Sequence, residues 1–241
     1  MHRTIGVLGG LGPWATLDFF EKVLRLTPAR RDQEHLRLII DNNPKIPDRG
    51  PAILGSPGAE DPFPALAATA RAVEAAGADF IVIPCNTAHF FYEPIRRAVR
   101  VPVLHIMEEV ARAAAARLPG LRRVGLLGTR ATVATGLYQA AFASQGTEVV
   151  APESKDQAVI DGLIYGIKAG RADELAAEGA SVGRRLGEAG AEAIILGCTE
   201  LPLVLGPETL GLPVLDSNLI LAEAAVREAT VPETVSPEVG A

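Results

Sequence analysis

Two cysteines stand in matching positions of this 241-residue chain and are the only cysteines in it. Cys85 closes the apolar run Gly77-Ala78-Asp79-Phe80-Ile81-Val82-Ile83-Pro84, and Cys198 closes Gly190-Ala191-Glu192-Ala193-Ile194-Ile195-Leu196-Gly197. Each cysteine follows a glycine by eight residues and precedes small polar residues, Asn86-Thr87 in one case and Thr199 in the other. A cysteine where a strand passes into a helix start lies near backbone N–H groups, which favour the thiolate and lower its pKa from about 8.5. Two such thiols on opposite walls of a cleft can do what one cannot. One removes a proton from a carbon and the other returns a proton to the opposite face, which is two-base epimerisation.

Other candidates surround this pair. Arg49 lies in a proline-rich loop, and Lys168 at the corresponding stage of the second half. As cations beside a cleft they suit a substrate bearing more than one carboxylate, with Arg able to grip one bidentately. Gly10-Leu11-Gly12-Pro13-Trp14-Ala15 formally fits a dinucleotide fingerprint, but Pro13 deletes a helix-start N–H that a pyrophosphate would use. A tight turn bringing amides near a substrate carboxylate is the favoured reading. Zinc would need Cys85 and His89 joined by Cys198 and His105; no C-x-x-C or H-x-x-x-H pair supports it.

The elements that must carry these residues alternate. Apolar strands are expected at 4–9, 37–41, 77–84 and 101–106, then again at 123–128, 148–151, 190–197 and 212–216. Helical periodicity fills most of the intervals. The segment 42–64 reads as a long loop, and 162–190 as helices broken by Gly170 and Gly179. Strands that are uniformly apolar indicate parallel sheets covered on both faces. The expected fold is therefore α/β, with two similar domains of about four parallel strands each, related by pseudo-twofold symmetry. Ligands of such sheets bind at the carboxyl ends of the strands, where both cysteines stand. Residues 231–241, rich in Pro, Glu and Val, are expected to be a disordered tail.

The net charge of −6 argues against a nucleic-acid partner. The N-terminal residues carry no apolar leader pattern and no run approaches membrane-spanning length, so a cytoplasmic protein without a membrane partner is expected.

The stretches Gly9-Gly10-Leu11-Gly12-Pro13, Asn42-Asn43-Pro44-Lys45-Ile46-Pro47-Asp48-Arg49, Pro84-Cys85-Asn86-Thr87-Ala88-His89 and Gly197-Cys198-Thr199-Glu200-Leu201 resemble the aspartate/glutamate racemase family, on its aspartate racemase branch. The resemblance runs to about residue 228. It implies an amino-acid racemase needing no cofactor, neither pyridoxal phosphate nor metal, with Cys85 and Cys198 as the catalytic proton carriers. Substrate contacts implied are Asn86, Thr87 and Thr199, with Arg49 and Lys168 as carboxylate binders. The substrate implied is a small dicarboxylic amino acid, and homodimers are common in the family. A returning final strand and helix is also implied, so that residues 1–106 with 212–230 form one domain and 107–211 the other. Gly10-Leu11-Gly12 and Glu200 stand where the glutamate branch has Asp-Ser-Gly and a histidine, which favours L- and D-aspartate. Leu11 and Asp216-Ser217-Asn218 depart from the branch's commoner residues. Other readings are a cysteine-dependent isomerase or decarboxylating lyase on another dicarboxylate, an NAD-dependent dehydrogenase, and a non-enzymatic amino-acid binder.

Overall fold

The structure is a computed structural model that describes residues 2–171 and 175–230. The expected tail at 231–241 lies outside the described residues. The first half runs β1 (Ile5–Gly9), α1 (Pro13–Leu26), β2 (Leu38–Asn42), α2 (Arg49–Ile53), α3 (Phe63–Ala75), β3 (Phe80–Val82), α4 (Tyr92–Ala98) and α5 (Ile106–Arg117). The second runs β4 (Arg123–Leu127), α6 (Arg130–Ala134), α7 (Leu137–Ala143), β5 (Glu148–Val150), α8 (Ser154–Lys168), α9 (Ala176–Glu188), β6 (Ala193–Leu196), α10 (Pro207–Leu210), β7 (Val214–Asp216) and α11 (Ser217–Thr230).

Two parallel sheets result, in the orders β2-β1-β3 and β5-β4-β6-β7. Strands β1, β3 and β6 are buried at every position, as expected of strands covered on both faces. The α/β architecture of two parallel sheets flanked by helices is thus the one the alternation predicts.

The first sheet differs in one respect: its fourth strand is reduced to a single bridge between Ile81 and Val103. Two hydrogen bonds hold it, from Ile81 N–H to the Pro102 carbonyl (2.8 Å) and from Leu104 N–H to the Ile81 carbonyl (2.9 Å). Pro102 itself has no N–H to extend a ladder. The second half repeats the arrangement, with Ile194 N–H bonding to the Pro213 carbonyl at 2.9 Å, but there pairing continues from Val214 to Asp216 against β6.

The expected return of the final strand to the first sheet is therefore corrected. β7 stays beside β6, and only the helix after it crosses back, α11 packing on α1. Conversely α5, which follows the first half's bridge, packs on α7 of the second half and on α11. The halves exchange their last helices, and the main apolar core includes Ile5, Phe19 and Val82 from one half with Leu126, Tyr138 and Ile195 from the other. Each such side chain, fully buried, stabilises the fold by about 1.5–3 kcal/mol, so the exchange ties the halves together.

Two further expectations change. The segment 42–64 is not all loop: Asp48 accepts a hydrogen bond from Gly50 N–H and caps the short helix α2. Gly170, at φ 76°, does end a helical stretch, but Gly179 lies inside α9. A Cβ there would fall 2.5 Å from Leu163 Cδ2, so the glycine serves the close approach of α8 and α9.

Candidate active site

The cysteine-bearing segments meet where β3 and β6 end. Thr199 Oγ1 donates to the Pro84 carbonyl at 3.1 Å, joining the residue after Cys198 to the residue before Cys85. Both cysteines are free thiols and only 5 % exposed. Short 3-10 turns follow each of them, Thr87–Phe91 and Leu201–Leu203, in place of full helices. This removes much of the dipole that was expected to favour thiolate. Cys198 goes the opposite way from that expectation: burial pushes its pKa well above the ordinary thiol value, and the Glu200 carboxylate pushes it further.

Lys168, at the end of α8, lies within electrostatic reach of both sulfurs. Burial works against its ammonium, but Glu200, Cys198 and Cys85 together outweigh that and raise its pKa. Its Nζ stands 3.9 Å from Glu200 Oε1.

Arg49 opens α2 and is buried. Its Nη2 donates to the Leu11 carbonyl at 2.8 Å and its Nη1 to the Pro47 carbonyl at 3.1 Å. Its buried Nε–H has no partner among the described residues. An unmet donor on a buried cation is costly, and a bound carboxylate would satisfy it.

Two adjoining cavities share the wall formed by Asp48, Arg49, Tyr165 and Lys168. One, of about 310 Å³, is bounded by the glycine turn, Trp14, Ile46 and Glu200. The other, of about 180 Å³, reaches Thr87, Thr129 and Asp161. Asp48 bridges the two halves across this wall, accepting from Tyr165 OH at 3.0 Å. Burial of Asp48 is outweighed by the Gly50 N–H, Arg49, Lys168 and the Tyr165 hydroxyl, which hold its carboxyl below the usual range. Burial and Asp48 push the Tyr165 phenol up to about 12.

The remaining candidates divide. Thr87 reaches the smaller cavity and joins a hydroxyl triad, 3.1 Å from Thr129 Oγ1 and 2.8 Å from Thr132 Oγ1. Asn86 points inward. Its Oδ1 accepts from Tyr138 OH (2.7 Å), and its Nδ2 donates to Ser217 Oγ (2.9 Å), which in turn donates to the Leu196 carbonyl (2.7 Å). This buried chain links the first cysteine segment to β6 and α11, so the Asn86 side chain braces the interior at this site. Asn86→Ala removes the acceptor of the buried Tyr138 hydroxyl and one of the two hydrogen bonds of Ser217 Oγ, and is expected to cost about 1–3 kcal/mol of stability. Urea denaturation checks it; an unchanged midpoint would refute this bracing role.

The structure also weighs the two rival readings of these motifs. Gly10 turns at φ 87° directly over the Asn43 backbone, where a Cβ would not fit. Gly10 N–H is taken by Thr16 Oγ1 at 2.9 Å, and Gly12 N–H by Glu200 Oε1 at 3.2 Å. The turn amides thus serve the protein's own side chains, including the internal Glu200 carboxylate, which corrects the expectation of amides held for a substrate carboxylate as well as the pyrophosphate reading. His89 Nδ1 lies 2.8 Å from the Cys85 carbonyl and Nε2 accepts from Ile106 N–H at 3.1 Å, so neither ring nitrogen has a lone pair to give a metal. Among the described residues no three His, Cys, Asp or Glu side chains group as metal ligands, and no helix is long and apolar enough to cross a membrane.

Glu200 is the residue that sequence reasoning passed over. It was read as a marker of substrate branch, yet it is buried, bounds the larger cavity and meets Cys198, Gly12 and Lys168 at once. A carboxylate two residues after a cysteine, in an apolar setting, was the available signal.

Residues 8–225 match the sequence profile described as Asp/Glu/Hydantoin racemase. The chain is 33 % identical over 229 residues to the broad specificity amino-acid racemase RacX of Bacillus subtilis, spanning 92 % of this chain and 96 % of that protein. Among solved structures, an aspartate racemase from Picrophilus torridus superposes with a TM-score of 0.83 at 30 % identity, covering 94 % of each chain. An aspartate racemase homologue from Pyrococcus horikoshii superposes with a TM-score of 0.75 at 28 % identity, covering 95 % of this chain and all of that one. With the paired cysteine segments meeting at the sheet ends and a profile match running through nearly every element, this chain belongs to the Asp/Glu/hydantoin racemase family.

Proposed function

We propose that the protein is a cofactor-independent amino-acid racemase that interconverts L- and D-aspartate by a two-base mechanism, with Cys85 and Cys198 as the proton carriers. The observation that supports this reading is the meeting of the two cysteine segments past the ends of β3 and β6, joined by the 3.1 Å hydrogen bond from Thr199 Oγ1 to the Pro84 carbonyl, with Lys168 in the wall shared by the two adjoining cavities. In this mechanism the substrate α-carbon lies between the two sulfurs, one a thiolate and the other a thiol. One sulfur takes the α-proton while the other delivers its own proton to the opposite face, so sulfur protonation is exchanged and no net proton is consumed. Lys168 and the unmet Nε–H of Arg49 support binding of carboxylates, and they would stabilise the negative charge that moves onto the α-carboxylate as the C–H bond breaks.

A second reading is favoured by one feature. Glu200 already faces Lys168, while Leu11, Trp14 and Ile46 give the larger cavity apolar walls. These residues suit uncharged side chains, in keeping with the broad specificity named for the Bacillus relative. Chiral chromatography of purified protein with a panel of single enantiomers, in deuterated water and without added cofactor, tests both. L-aspartate passing to racemate with deuterium at the α-carbon supports the first reading, and faster turnover of neutral amino acids supports the second. No exchange on any amino acid would sink both, and carbon dioxide release would indicate a lyase.

A further inference from the structure

The two sulfurs do not have equivalent surroundings. Cys198 Sγ lies 3.0 Å from Glu200 Oε2 in a hydrogen bond that the thiol donates, and both groups are buried. The carboxylate is itself held in place: Oε1 accepts from Gly12 N–H at 3.2 Å, and Thr199 Oγ1 stands 3.4 Å from Oε2. Gly12 belongs to the first half of the chain, so the turn after β1 aims the carboxylate at a sulfur of the second half. Among the described residues, Cys198 alone of the two cysteines hydrogen-bonds a carboxylate.

We propose that Glu200 is a positioning residue that keeps Cys198 as the proton-bearing member of the cysteine pair in the free enzyme. The Cys198 S–H points at the carboxylate, which holds the proton on this sulfur, so Cys198 serves as the donor in the direction in which Cys85 takes the α-hydrogen. In that direction the substrate C–H bond breaks and its proton forms an S–H bond on the Cys85 thiolate, while the Cys198 S–H bond breaks and its proton forms the new C–H bond on the other face. The Cys198 sulfur left behind is then an anion beside a carboxylate, which makes it a strong base for the reverse step. Other groups bear on this pair: Lys168 from α8 opposes the carboxylate's effect and feels Cys85 as well, Tyr138 approaches from α7, and Arg49 and Asp48 of the α2 segment face Lys168. Burial acts in the same direction as Glu200, and the carboxylate is the part that a side-chain change can remove.

The inference rests on the two-cysteine reading for its catalytic meaning, but its test needs no turnover. With 13Cβ-labelled cysteine the protein gives two thiol signals, assigned with Cys85→Ser, whose pH titrations report each sulfur. In Glu200→Gln the Cys198 midpoint is expected to fall by at least about one pH unit, which is about tenfold more thiolate at any pH below it. The Cys85 midpoint stays in place, and Glu200→Asp lies closer to wild type than the Gln variant does. In wild-type protein, the 13Cδ signal of Glu200 should inflect at the pH where Cys198 ionises, a readout that does not depend on any variant folding. An unmoved Cys198 midpoint in a folded Glu200→Gln, equal shifts of both cysteines, or a Glu200 signal blind to Cys198 would each overturn the proposal. Absence of racemisation with these titrations intact would leave the pairing standing and remove only its catalytic meaning.

Discussion

Serine in place of either Cys85 or Cys198 is expected to lower racemisation by about 10²–10⁴-fold, the usual worth of a positioned acid–base group. The argument is one of geometry and acidity. Thr199 and Pro84 tie the two cysteine segments together, and in the proposed two-base mechanism each sulfur serves one face of the α-carbon. A serine hydroxyl keeps the size and hydrogen-bonding habit of a thiol but is far too weak an acid to share a proton at neutral pH. The variants should therefore fold, and circular dichroism and thermal midpoints close to wild type would establish that. Each retains one sulfur, so each should still exchange the α-proton of one enantiomer with solvent on a single face, and the two variants should favour opposite enantiomers. Deuterium incorporation followed by NMR reads this directly. Either variant keeping more than about a tenth of wild-type racemisation would mean that the sulfur is not one of two bases.

Acid should destabilise the protein through His89, and the sign follows from its contacts. Ile106 N–H must donate to Nε2, so Nδ1 carries the ring's one proton and donates to the Cys85 carbonyl. A second proton would have to sit on Nε2, facing that N–H. Burial, with His105 close by, pushes the His89 pKa down to about 3, against 6.5 for a free histidine. Between those values the unfolded chain binds a proton that the folded chain does not. The stabilising contribution is therefore complete above pH 6.5 and is lost as pH falls toward 3, at up to about 1.4 kcal/mol per unit. His105, also lowered by burial, acts with the same sign. Urea denaturation at pH 7.5 and 4.5 should show wild type losing about 2–3 kcal/mol more than His89→Gln, which lacks the titrating ring. Equal losses would contradict the buried neutral histidine. Because His89 holds the carbonyl of Cys85, the same variant should also disturb the backbone at Cys85.

Much of this protein was open to reading along the chain. The β1 and β4 glycine-containing apolar runs, the two cysteine strands and the Leu-Pro-Val segment are local patterns, and each falls on a strand, whereas the strand expected from Val-Pro-Val is a single bridge. Pro102 and Pro213 were visible as equivalents, yet one leads into a bridge and the other into a full strand. The difference lies in how far each segment can pair with its neighbour, which no local pattern records. The same is true of Gly179, which reads as a helix breaker until Leu163 of α8 is seen to occupy the space beside it. Asn86 reads as a polar residue beside a reactive cysteine, and its inward turn depends on Tyr138 and Ser217, both distant in sequence.

The sequence by itself determined the alternating α/β order, the internal repeat and the placing of both cysteines at strand carboxyl ends, because periodicity and glycine turns are short-range properties. Only the tertiary structure decided the exchange of α5 and α11 between halves, the inward course of Asn86 and the company of Cys198. A thiol's proton affinity is set by burial and by nearby charge. For Cys198 both come from packing: Gly12 of the first half aims Glu200 at it, and α8 brings Lys168 to oppose.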